Sequence, residues 1–496
     1  MVKQTLDKDL DRIGQIESQG NFAVNSYKAL ALAGLFLLIV WAFSASIITT
    51  GEHSTLIIIA AIIGGYMALN IGANDVANNV GPAVGSRALT MTGALVIAAI
   101  FESAGAILAG GDVVNTIKKG IIDPSSMENS QVFIWVMMAA LFSAALWVNI
   151  ATWIGAPVST THAVVGGVMG AGIAAAGFSV VNWTTMSAIA ASWVISPVMG
   201  GIIAAVFLAF IKSYIIYQDD KIAAAKRWVP LLVAIMAGVF SAYLIMKGLK
   251  KIWRPDGVTI LFVSLALFAA VYALVKPIIA KAAVGMENRN KSLRILFTIP
   301  LICSAALLSF AHGANDVANA VGPLAAIVGT SASGAIDAKV GIPLWVMLIG
   351  AVGLSAGLFL FGPKLIKTVG EQITKMNPMR AYCVALSAGI TVLIASALGL
   401  PVSSTHIAVG AVFGVGFFRE WDTERRAKKI RSINRPAKIN PESNLPEGID
   451  EKNNNRRKKL VRRSHFITII AAWIITVPCA ALLAAGIFLL ISHFAS

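Results

Sequence analysis

Two short polar stretches interrupt apolar sequence in this chain, and they are near-copies of each other. Residues 72–82 read GANDVANNVGP, and residues 313–323 read GANDVANAVGP. Ten of the eleven positions are identical, at a spacing of 241 residues. Each copy brings amide and carboxylate oxygens together, and such hard oxygen ligands suit hard cations. The two copies therefore predict a pair of cation-binding segments.

A second pair of stretches is rich in hydroxyl groups. Residues 157–162 read PVSTTH and residues 401–406 read PVSSTH, identical at five of six positions with a spacing of 244. Proline favours the first turn of a helix, and Ser or Thr favours its cap. A helix that begins at membrane depth presents free backbone N–H groups and the positive end of its dipole, which together bind anions. The alternative is two capped helices beside a proline kink, and the duplication favours the anion site.

These motifs define the candidate site residues. The candidate anion ligands carry hydroxyl groups and are Ser159, Thr160, Thr161, Ser403, Ser404 and Thr405. The candidate cation ligands carry amide or carboxylate oxygens and are Asn74, Asp75, Asn78, Asn315, Asp316 and Asn319. Offsets of three and four residues place Asp75 and Asn78, or Asn74 and Asn78, on one helix face. Polar contacts between helices would explain the amides, but they explain a carboxylate in each copy less well.

The charges of these motifs predict coupled binding. An anion here would lie near two carboxylates, and none of the four motifs contains Lys or Arg. Like charges about 4 Å apart repel by about 4 kcal/mol at an effective dielectric of about 20. The site therefore needs Na⁺ or protons, so that the anion and the cation depend on each other, as in a symporter. Glu102 is a further candidate cation ligand or proton carrier, and a structural pairing is equally open. We interpret His162 and His406 as structural hydrogen-bond donors rather than as titrating groups.

The composition indicates a membrane protein with many helical spans. The chain has 496 residues, of which 57% are hydrophobic and 13% charged, and its mean hydropathy is +0.78. Soluble domains carry about 25% charged residues. Apolar runs of about 20 residues recur along the length, which predicts an all-α polytopic fold of about 12 transmembrane helices, including short re-entrant or broken ones. The chain has a net charge of +16. Cytoplasmic loops of membrane proteins are rich in Lys and Arg, so this charge does not indicate nucleic-acid binding.

The repeated motifs divide the chain into segments. We predict a polar segment at 1–28, an extra transmembrane helix at 29–50, a first repeat at 51–212, a connecting region with two helices at 213–294, and a second repeat at 295–494. In each repeat the hydroxyl stretch opens a short helix, ending near 418 in the second. The second repeat also contains a hydrophilic loop at 419–465 with fifteen Lys and Arg against seven Asp and Glu. Such internal repeats are common in transporters.

The basic residues predict the orientation of the repeats. The loop 419–465 is expected in the cytoplasm, together with the N-terminus. Counting spans back from it places the equivalent loop, 178–182, on the outside, so the two repeats are inverted with respect to each other. One loop disagrees with this count, because 248–256 carries Lys250, Lys251 and Arg254 yet falls outside.

On these motifs the chain resembles the PiT family of inorganic phosphate transporters. The resemblance covers both repeats and implies an inverted-repeat fold in the cell membrane, phosphate as substrate, and coupling to Na⁺ or H⁺. It implies that phosphate is held by the six hydroxyl residues with Asp75 and Asp316, and that Na⁺ is held by the Asn and Asp residues of the motifs. Residues 84–86 and 101–103 are more similar to the Na⁺-coupled branch.

The resulting hypothesis is a secondary active symporter that imports phosphate by alternating access. It is not an enzyme, and its expected partners are phosphate, Na⁺ and the lipid bilayer, with no nucleic acid and no cofactor; a homodimer is left open. A permease for sulfate or another oxyanion is the alternative, because some family members are similar to sulfate permeases. An intramembrane hydrolase using Ser159, His162 and Asp75 is disfavoured, because a nucleophile is needed once rather than in two copies. A passive channel is the third alternative, which uphill accumulation would exclude.

Overall fold

The computed structural model describes residues 27–48, 54–154, 158–250, 252–333, 341–372, 376–433 and 463–495. The predicted polar segment at 1–28 lies almost wholly outside these residues, and so do most of the hydrophilic segment 419–465 and Pro157 of the first hydroxyl stretch. The side chains of 427–433 and of 463–470 also fall outside the description.

The described chain is built from helices. In chain order they are α1 (Tyr27–Ile47), α2 (Ser54–Gly85), α3 (Met91–Ala109), α4 (Gly111–Lys119), α5 (Ser130–Ile154), α6 (Thr160–Ala176), α7 (Trp183–Ile211), α8 (Lys221–Tyr243), α9 (Gly257–Ala282), α10 (Asn290–Leu296), α11 (Thr298–Asp316), α12 (Ala318–Ser333), α13 (Leu344–Gln372), α14 (Pro378–Ala397), α15 (Ser404–Ile433) and α16 (Arg463–Ala495).

The prediction of an all-α polytopic membrane protein is confirmed. Within the described residues, 11 helices are long and apolar enough to cross a membrane, and α6 is a shorter apolar helix. A helix satisfies its own backbone hydrogen bonds, which hydrocarbon cannot do, so apolar segments of this length fold as helices. The outer helices α1 and α9 are mostly exposed, whereas the span formed by α11 and α12 is almost entirely buried.

Two helix pairs, each with one helix from each repeat, form the centre of the molecule. Helix α2 packs along α13, and α11 packs along α3, so that each repeat contributes one helix to each pair. The contacts are close because glycine faces backbone: a Cβ on Gly72 would strike the carbonyl oxygen of Leu354, and one on Gly313 would strike that of Glu102. Gly72 and Gly313 are equivalent in the two repeats, and so are Leu354 and Glu102, because 102–105 (ESAG) matches 354–357 (LSAG) at three of four positions with a spacing of 252. Small residues allow this approach between membrane helices.

The helices that begin at the hydroxyl stretches are paired in the same way. Helix α6 packs along α16, and α15 packs along α7. Ser103 and Ser355, which occupy equivalent positions of α3 and α13, place their Oγ atoms 2.7 Å apart. A contact between matching positions is what an approximate two-fold relation between the repeats would produce.

The structure corrects one boundary of the sequence prediction. The helix that opens at Ser404 does not end near 418 but continues to Ile433, so the basic segment begins as a helix rather than a loop. The two polar motifs also differ: the first lies inside the unbroken α2, whereas the second is interrupted at Val317 between α11 and α12.

An acidic residue pairs with one of the three basic residues of the loop that disagreed with the charge count. Asp112 at the start of α4 binds Lys247 at 2.9 Å and also binds Lys250. Burial alone would raise the pKa of the Asp112 carboxyl, but the two ammonium groups outweigh it and lower that pKa below its usual value. These lysines are therefore held by an ion-pair partner, so their position need not report the cytoplasmic side.

Candidate functional site

The two hydroxyl stretches meet as helix N-termini at the centre of the molecule. The Ser159 hydroxyl accepts a hydrogen bond from the backbone N–H of His162 (3.2 Å), and Ser403 accepts one from that of His406 (3.3 Å). Both serines are therefore N-caps, as the sequence predicts. The Thr161 hydroxyl donates to the carbonyl of Val402 (3.0 Å), directly before α15. This bond joins the start of one repeat's helix to the start of the other's.

Each aspartate of the polar motifs accepts hydrogen bonds from these helix starts. Asp75 accepts one from Thr160 (3.1 Å) and one from Thr405 (2.8 Å), so that its two oxygens are bonded by the two different repeats. Asp316 accepts one from Ser404 (2.8 Å). Both carboxylates are buried, with 1% exposure. The predicted cation ligands and the predicted anion ligands therefore form a single cluster.

The second asparagine of each motif crosses to the opposite repeat. Asn78 donates to the Thr405 hydroxyl (2.8 Å), and Asn319 donates to the hydroxyls of Thr161 (3.1 Å) and Thr160 (3.3 Å). Thr405 accepts from Asn78 while it donates to Asp75, so these three side chains form a chain of hydrogen bonds. The amides hold the hydroxyl groups in place.

The first asparagine of each motif faces away, toward its own repeat. Asn74 donates to Thr152 (2.9 Å), and Asn315 donates to Ser396 (3.0 Å), again at equivalent positions. The Asn315 side-chain oxygen accepts from the N–H of Val402 (3.2 Å). These two residues were predicted as cation ligands. The structure places Asn315 where it anchors the second hydroxyl stretch, and Asn74 where it binds Thr152 near the end of α5.

Several buried oxygens in this cluster have no hydrogen-bond donor among the described residues. They are one oxygen each of Asp316, Asn319, Glu102 and Asn79. Buried polar atoms are normally hydrogen-bonded, and an unpaired oxygen is a position at which a bound ion can supply the missing interaction. The Asp316 and Asn319 oxygens belong to the predicted cation ligands.

His312 is a site residue that the motifs did not single out. Its Nε2 lies 2.9 Å from Asp316 and 3.9 Å from Asp75, and its Nδ1 lies 3.3 Å from Glu102. Nitrogen or oxygen atoms of Asp75, His312 and Asp316 all lie within 4.8 Å of one another, an arrangement that could hold a metal ion. The available signal was a polar residue in an apolar helix, directly before Gly313, because such residues are functional candidates.

Glu102 and His312 make the two halves of the site unequal. The Glu102 side chain accepts a hydrogen bond from Asn79 (2.7 Å) and is fully buried. Leu354 and Ala320 occupy the positions equivalent to Glu102 and Asn79, and Ile71 is equivalent to His312. The motifs themselves contain no Lys or Arg, but the carboxylates do have a basic neighbour, because His312 brings an imidazole to both of them.

The two predicted structural histidines lie side by side behind the helix starts. The rings of His162 and His406 have centroids 4.6 Å apart, and His162 also packs on Trp193 at 3.8 Å. The Trp193 indole donates to the carbonyl of Pro401 (3.1 Å). This aromatic group supports the back of both hydroxyl stretches.

Comparison with known proteins agrees with this geometry. A model of the phosphate transporter family matches residues 71–484, a range that contains all four motifs. The chain belongs to the phosphate transporter family. This membership confirms the resemblance to phosphate transporters that the motifs indicated, and it makes the chain a multi-pass membrane protein of a transporter family.

Individual relatives extend along most of the chain. A Helicobacter pylori protein named as a phosphate permease is 48% identical over 501 residues, covering 92% of this chain and 94% of the relative. A Pyrococcus abyssi protein with the same description is 35% identical, covering 87% and 97%. A solved structure of a protein named the sodium-dependent phosphate transporter has a TM-score of 0.77 and 33% identity, covering 88% of this chain and 99% of its own. The polytopic fold is therefore shared with a phosphate transporter of known structure.

Proposed function

We propose that this protein imports inorganic phosphate together with Na⁺ by alternating access. The observation that carries the proposal is the position of Asp75, whose two oxygens accept hydrogen bonds from Thr160 of one repeat and Thr405 of the other. A carboxylate that suits a cation and hydroxyls that suit an oxyanion are thus directly bonded. A cation bound at the carboxylate therefore changes the hydrogen bonding of the hydroxyls, and an oxyanion bound at the hydroxyls changes that of the carboxylate.

Phosphate fits the helix starts by its chemistry. It accepts many hydrogen bonds, and the N-termini of α6 and α15 offer hydroxyl groups and backbone N–H groups from two directions. The proposed phosphate ligands are Ser159, Thr160, Thr161, Ser403, Ser404 and Thr405, with Asp75 and Asp316 contributing through bound cations. Two carboxylates would otherwise oppose the anion by about 4 kcal/mol each at about 4 Å.

Na⁺ fits the oxygens that remain. We assign the cation sites to Asp75, Asp316, Asn78 and Asn319, with Asn74 and Asn315 as supporting residues and Glu102 as a further ligand through its unbonded oxygen. The relative of known structure is named as sodium-dependent, which favours Na⁺ over H⁺. Proton coupling is the second candidate, and His312 beside both carboxylates is the observation that favours it.

The paired architecture supports the proposal of alternating access. Repeats of inverted orientation exchange two equivalent conformations around a central site, and the contacts of α2 with α13 and of α11 with α3 agree with this arrangement. We propose that the basic segment 419–465 and the N-terminus face the cytoplasm.

Uptake into proteoliposomes tests the proposal. Labelled phosphate should accumulate against its gradient when a Na⁺ gradient is imposed, and unlabelled sulfate should compete weakly. Asp75→Asn and Asp316→Asn should each abolish accumulation, because each removes a charged cation ligand. Asp219→Asn is the matched control, since Asp219 is exposed in the connecting region.

The same assay separates the alternatives. Accumulation driven by a pH gradient without Na⁺ would show that the coupling ion is H⁺ rather than Na⁺. Strong competition by sulfate would show that the substrate is a broader class of oxyanions rather than phosphate alone. Downhill flux alone would indicate a channel. Full uptake by both Asp variants would refute the proposed site.

A further inference from the structure

A large apolar groove runs along α7 and α15, outside the cluster described above. Its cavity volume is about 880 Å³, and its walls include Val198 and Ile202 of α7 and Phe413 and Phe417 of α15, with Ile474 of α16 at the edge. Val198, Ile202 and Phe417 are exposed. Helix α7 is one of the helices long and apolar enough to cross a membrane, and the exposed walls of the groove are apolar, so the groove suits lipid rather than water.

One wall of the groove ends in a tryptophan and an arginine. Gly410, Gly414, Phe418 and Trp421 of α15 recur at helical spacing along the groove. Arg425 follows one turn later, and its guanidinium lies 5.2 Å from the centre of the Trp421 ring. Tryptophan and arginine are typical of the interface between hydrocarbon and water. The groove therefore has an apolar body and a cationic mouth.

Of the acidic residues near this mouth, Asp422 is paired with other cations, and Glu420 and Glu424 have interactions of their own. Asp422 is already shared by Lys212 at 2.6 Å and Arg426 at 3.5 Å. Burial raises the pKa of Asp422, but hydrogen bonds from Lys212 and Tyr217 outweigh this effect and hold that pKa below its usual value. Among the described residues, no carboxylate forms an ion pair with Arg425. Its guanidinium is available to an anion.

We propose that this groove binds an anionic glycerophospholipid, with an acyl chain along α7 and α15 and the headgroup phosphate at Arg425. The assignment rests on the match between the groove and such a lipid. The groove is apolar along its length and cationic at one end, and an anionic lipid has apolar acyl chains and a negatively charged headgroup. A juxtamembrane cation favours an anionic lipid by about 1 kcal/mol, which is about fivefold in affinity.

The inner end of the groove reaches the back of the transport site. His162 and Trp193 line it, and the Trp193 indole donates to the carbonyl of Pro401 at the start of the second hydroxyl stretch. An acyl chain in the groove packs against these rings. Bound lipid therefore stabilises the helix starts without contacting phosphate.

Among the described residues, the cationic mouth belongs to the second repeat, because the two repeats differ here. Helix α15 has 30 residues, whereas its counterpart α6 has 17. At the spacing of 244, the last residue of α6, Ala176, is equivalent to position 420. Trp421 and Arg425 lie beyond that point, so the first repeat has no equivalent of the cationic mouth.

Lipid binding by the purified full-length protein tests this proposal. The probes are phosphatidylglycerol and phosphatidylcholine with identical acyl chains, titrated into delipidated protein, and the readouts are retained lipid by native mass spectrometry and the unfolding temperature. Wild type should retain phosphatidylglycerol preferentially. Arg425→Ala should weaken that retention about fivefold, and Val198→Trp should abolish it by filling the groove.

Two matched variants serve as controls. Arg227→Ala removes another exposed arginine, which lies 5.4 Å from the Trp228 ring but outside the groove. Val206→Trp makes the same substitution as Val198→Trp at an exposed position of α7 that does not line the groove. Both should bind phosphatidylglycerol as wild type does. Equal retention of the two lipids by wild type, equal losses in controls and groove variants, or a change of oligomeric state with unchanged lipid retention would each overturn the proposal.

Discussion

Thr161 and Thr405 are equivalent by sequence, and the structure predicts that they contribute unequally to transport. The Thr405 hydroxyl donates to the Asp75 carboxylate at 2.8 Å, whereas the Thr161 hydroxyl donates to the backbone carbonyl of Val402 at 3.0 Å. Replacing each threonine by valine keeps the shape of the side chain and removes only the hydroxyl. The pair of variants therefore compares a bond to a charged group with a bond to a neutral one.

The size of the difference follows from these partners. A hydrogen bond to a charged group contributes about 1.5–3 kcal/mol, and a bond between neutral groups about 0.5–1.5 kcal/mol. Thr405→Val also removes the acceptor of Asn78, whereas Asn319 keeps Thr160 as a second acceptor at 3.3 Å when Thr161 is replaced. We expect Thr405→Val to cost about 1–1.5 kcal/mol more Na⁺-binding free energy than Thr161→Val. This difference corresponds to a half-saturating Na⁺ concentration that is about five- to tenfold higher.

Phosphate uptake into proteoliposomes at varied Na⁺ concentration measures this difference. The two variants are compared at equal reconstituted protein, with unfolding temperatures as a check that both fold. Equal increases in the half-saturating Na⁺ concentration, or a larger increase for Thr161→Val, would refute the unequal hydrogen bonding. Such a result would mean that the hydrogen bond from Thr405 to Asp75 does not set the response to Na⁺.

Three further predictions concern other parts of the molecule. Gly72→Ala and Gly313→Ala should reduce the yield of folded protein severely, because the new methyl group would strike the carbonyl of Leu354 or of Glu102. The control is Gly81→Ala, whose methyl group meets nothing within 4 Å, so this variant should fold normally. Equal yields of all three variants would contradict the close packing. His312→Gln should reduce phosphate uptake about tenfold or more, because the imidazole bridges Glu102 and Asp316, and an unpaired polar group in a buried network is costly. Uptake equal to that of wild type would show that His312 is not part of the site. Asp112→Asn should lower the unfolding free energy by about 1 kcal/mol, since its partly exposed ion pairs with Lys247 and Lys250 are screened. Because the folded-state pKa of Asp112 is lowered from 3.8, this stability is present above pH 3.8 and is lost as the pH falls through the folded-state pKa, so melts of the variant and wild type should converge there; a constant difference across pH would contradict the pairing.

Much of the fold could be predicted because the sequence contains it twice. Apolar length gave the membrane spans, and the two hydroxyl stretches gave the capped starts of α6 and α15 through the local preferences of Pro and Ser. A shorter match between 102–105 and 354–357, at a spacing of 252, also pairs positions that the structure brings together, such as Ser103 with Ser355. These features depend on local chemistry or on internal comparison, both of which a single sequence provides.

The remaining features depend on contacts between distant residues. Nothing in the spacing shows that Thr405, rather than Thr161, bonds to Asp75, or that His312 lies between Glu102 and Asp316. The repeat comparison also conceals His312, because the equivalent residue of the first repeat is Ile71. Glu102 could be named as a candidate, but its contact with His312 could not be predicted. The extension of α15 was missed for a different reason, since its charged sequence reads as a loop when apolar length is the criterion.

Phosphate binding measured with and without Na⁺ tests the central claim most directly. The claim is that Asp75, Asp316 and the hydroxyls around them form one site in which cation and anion depend on each other. Equilibrium binding of labelled phosphate to the purified protein should strengthen about 5- to 150-fold when Na⁺ replaces choline, and phosphate should strengthen Na⁺ binding by the same factor. Phosphate affinity that is the same in Na⁺ and in choline would contradict it.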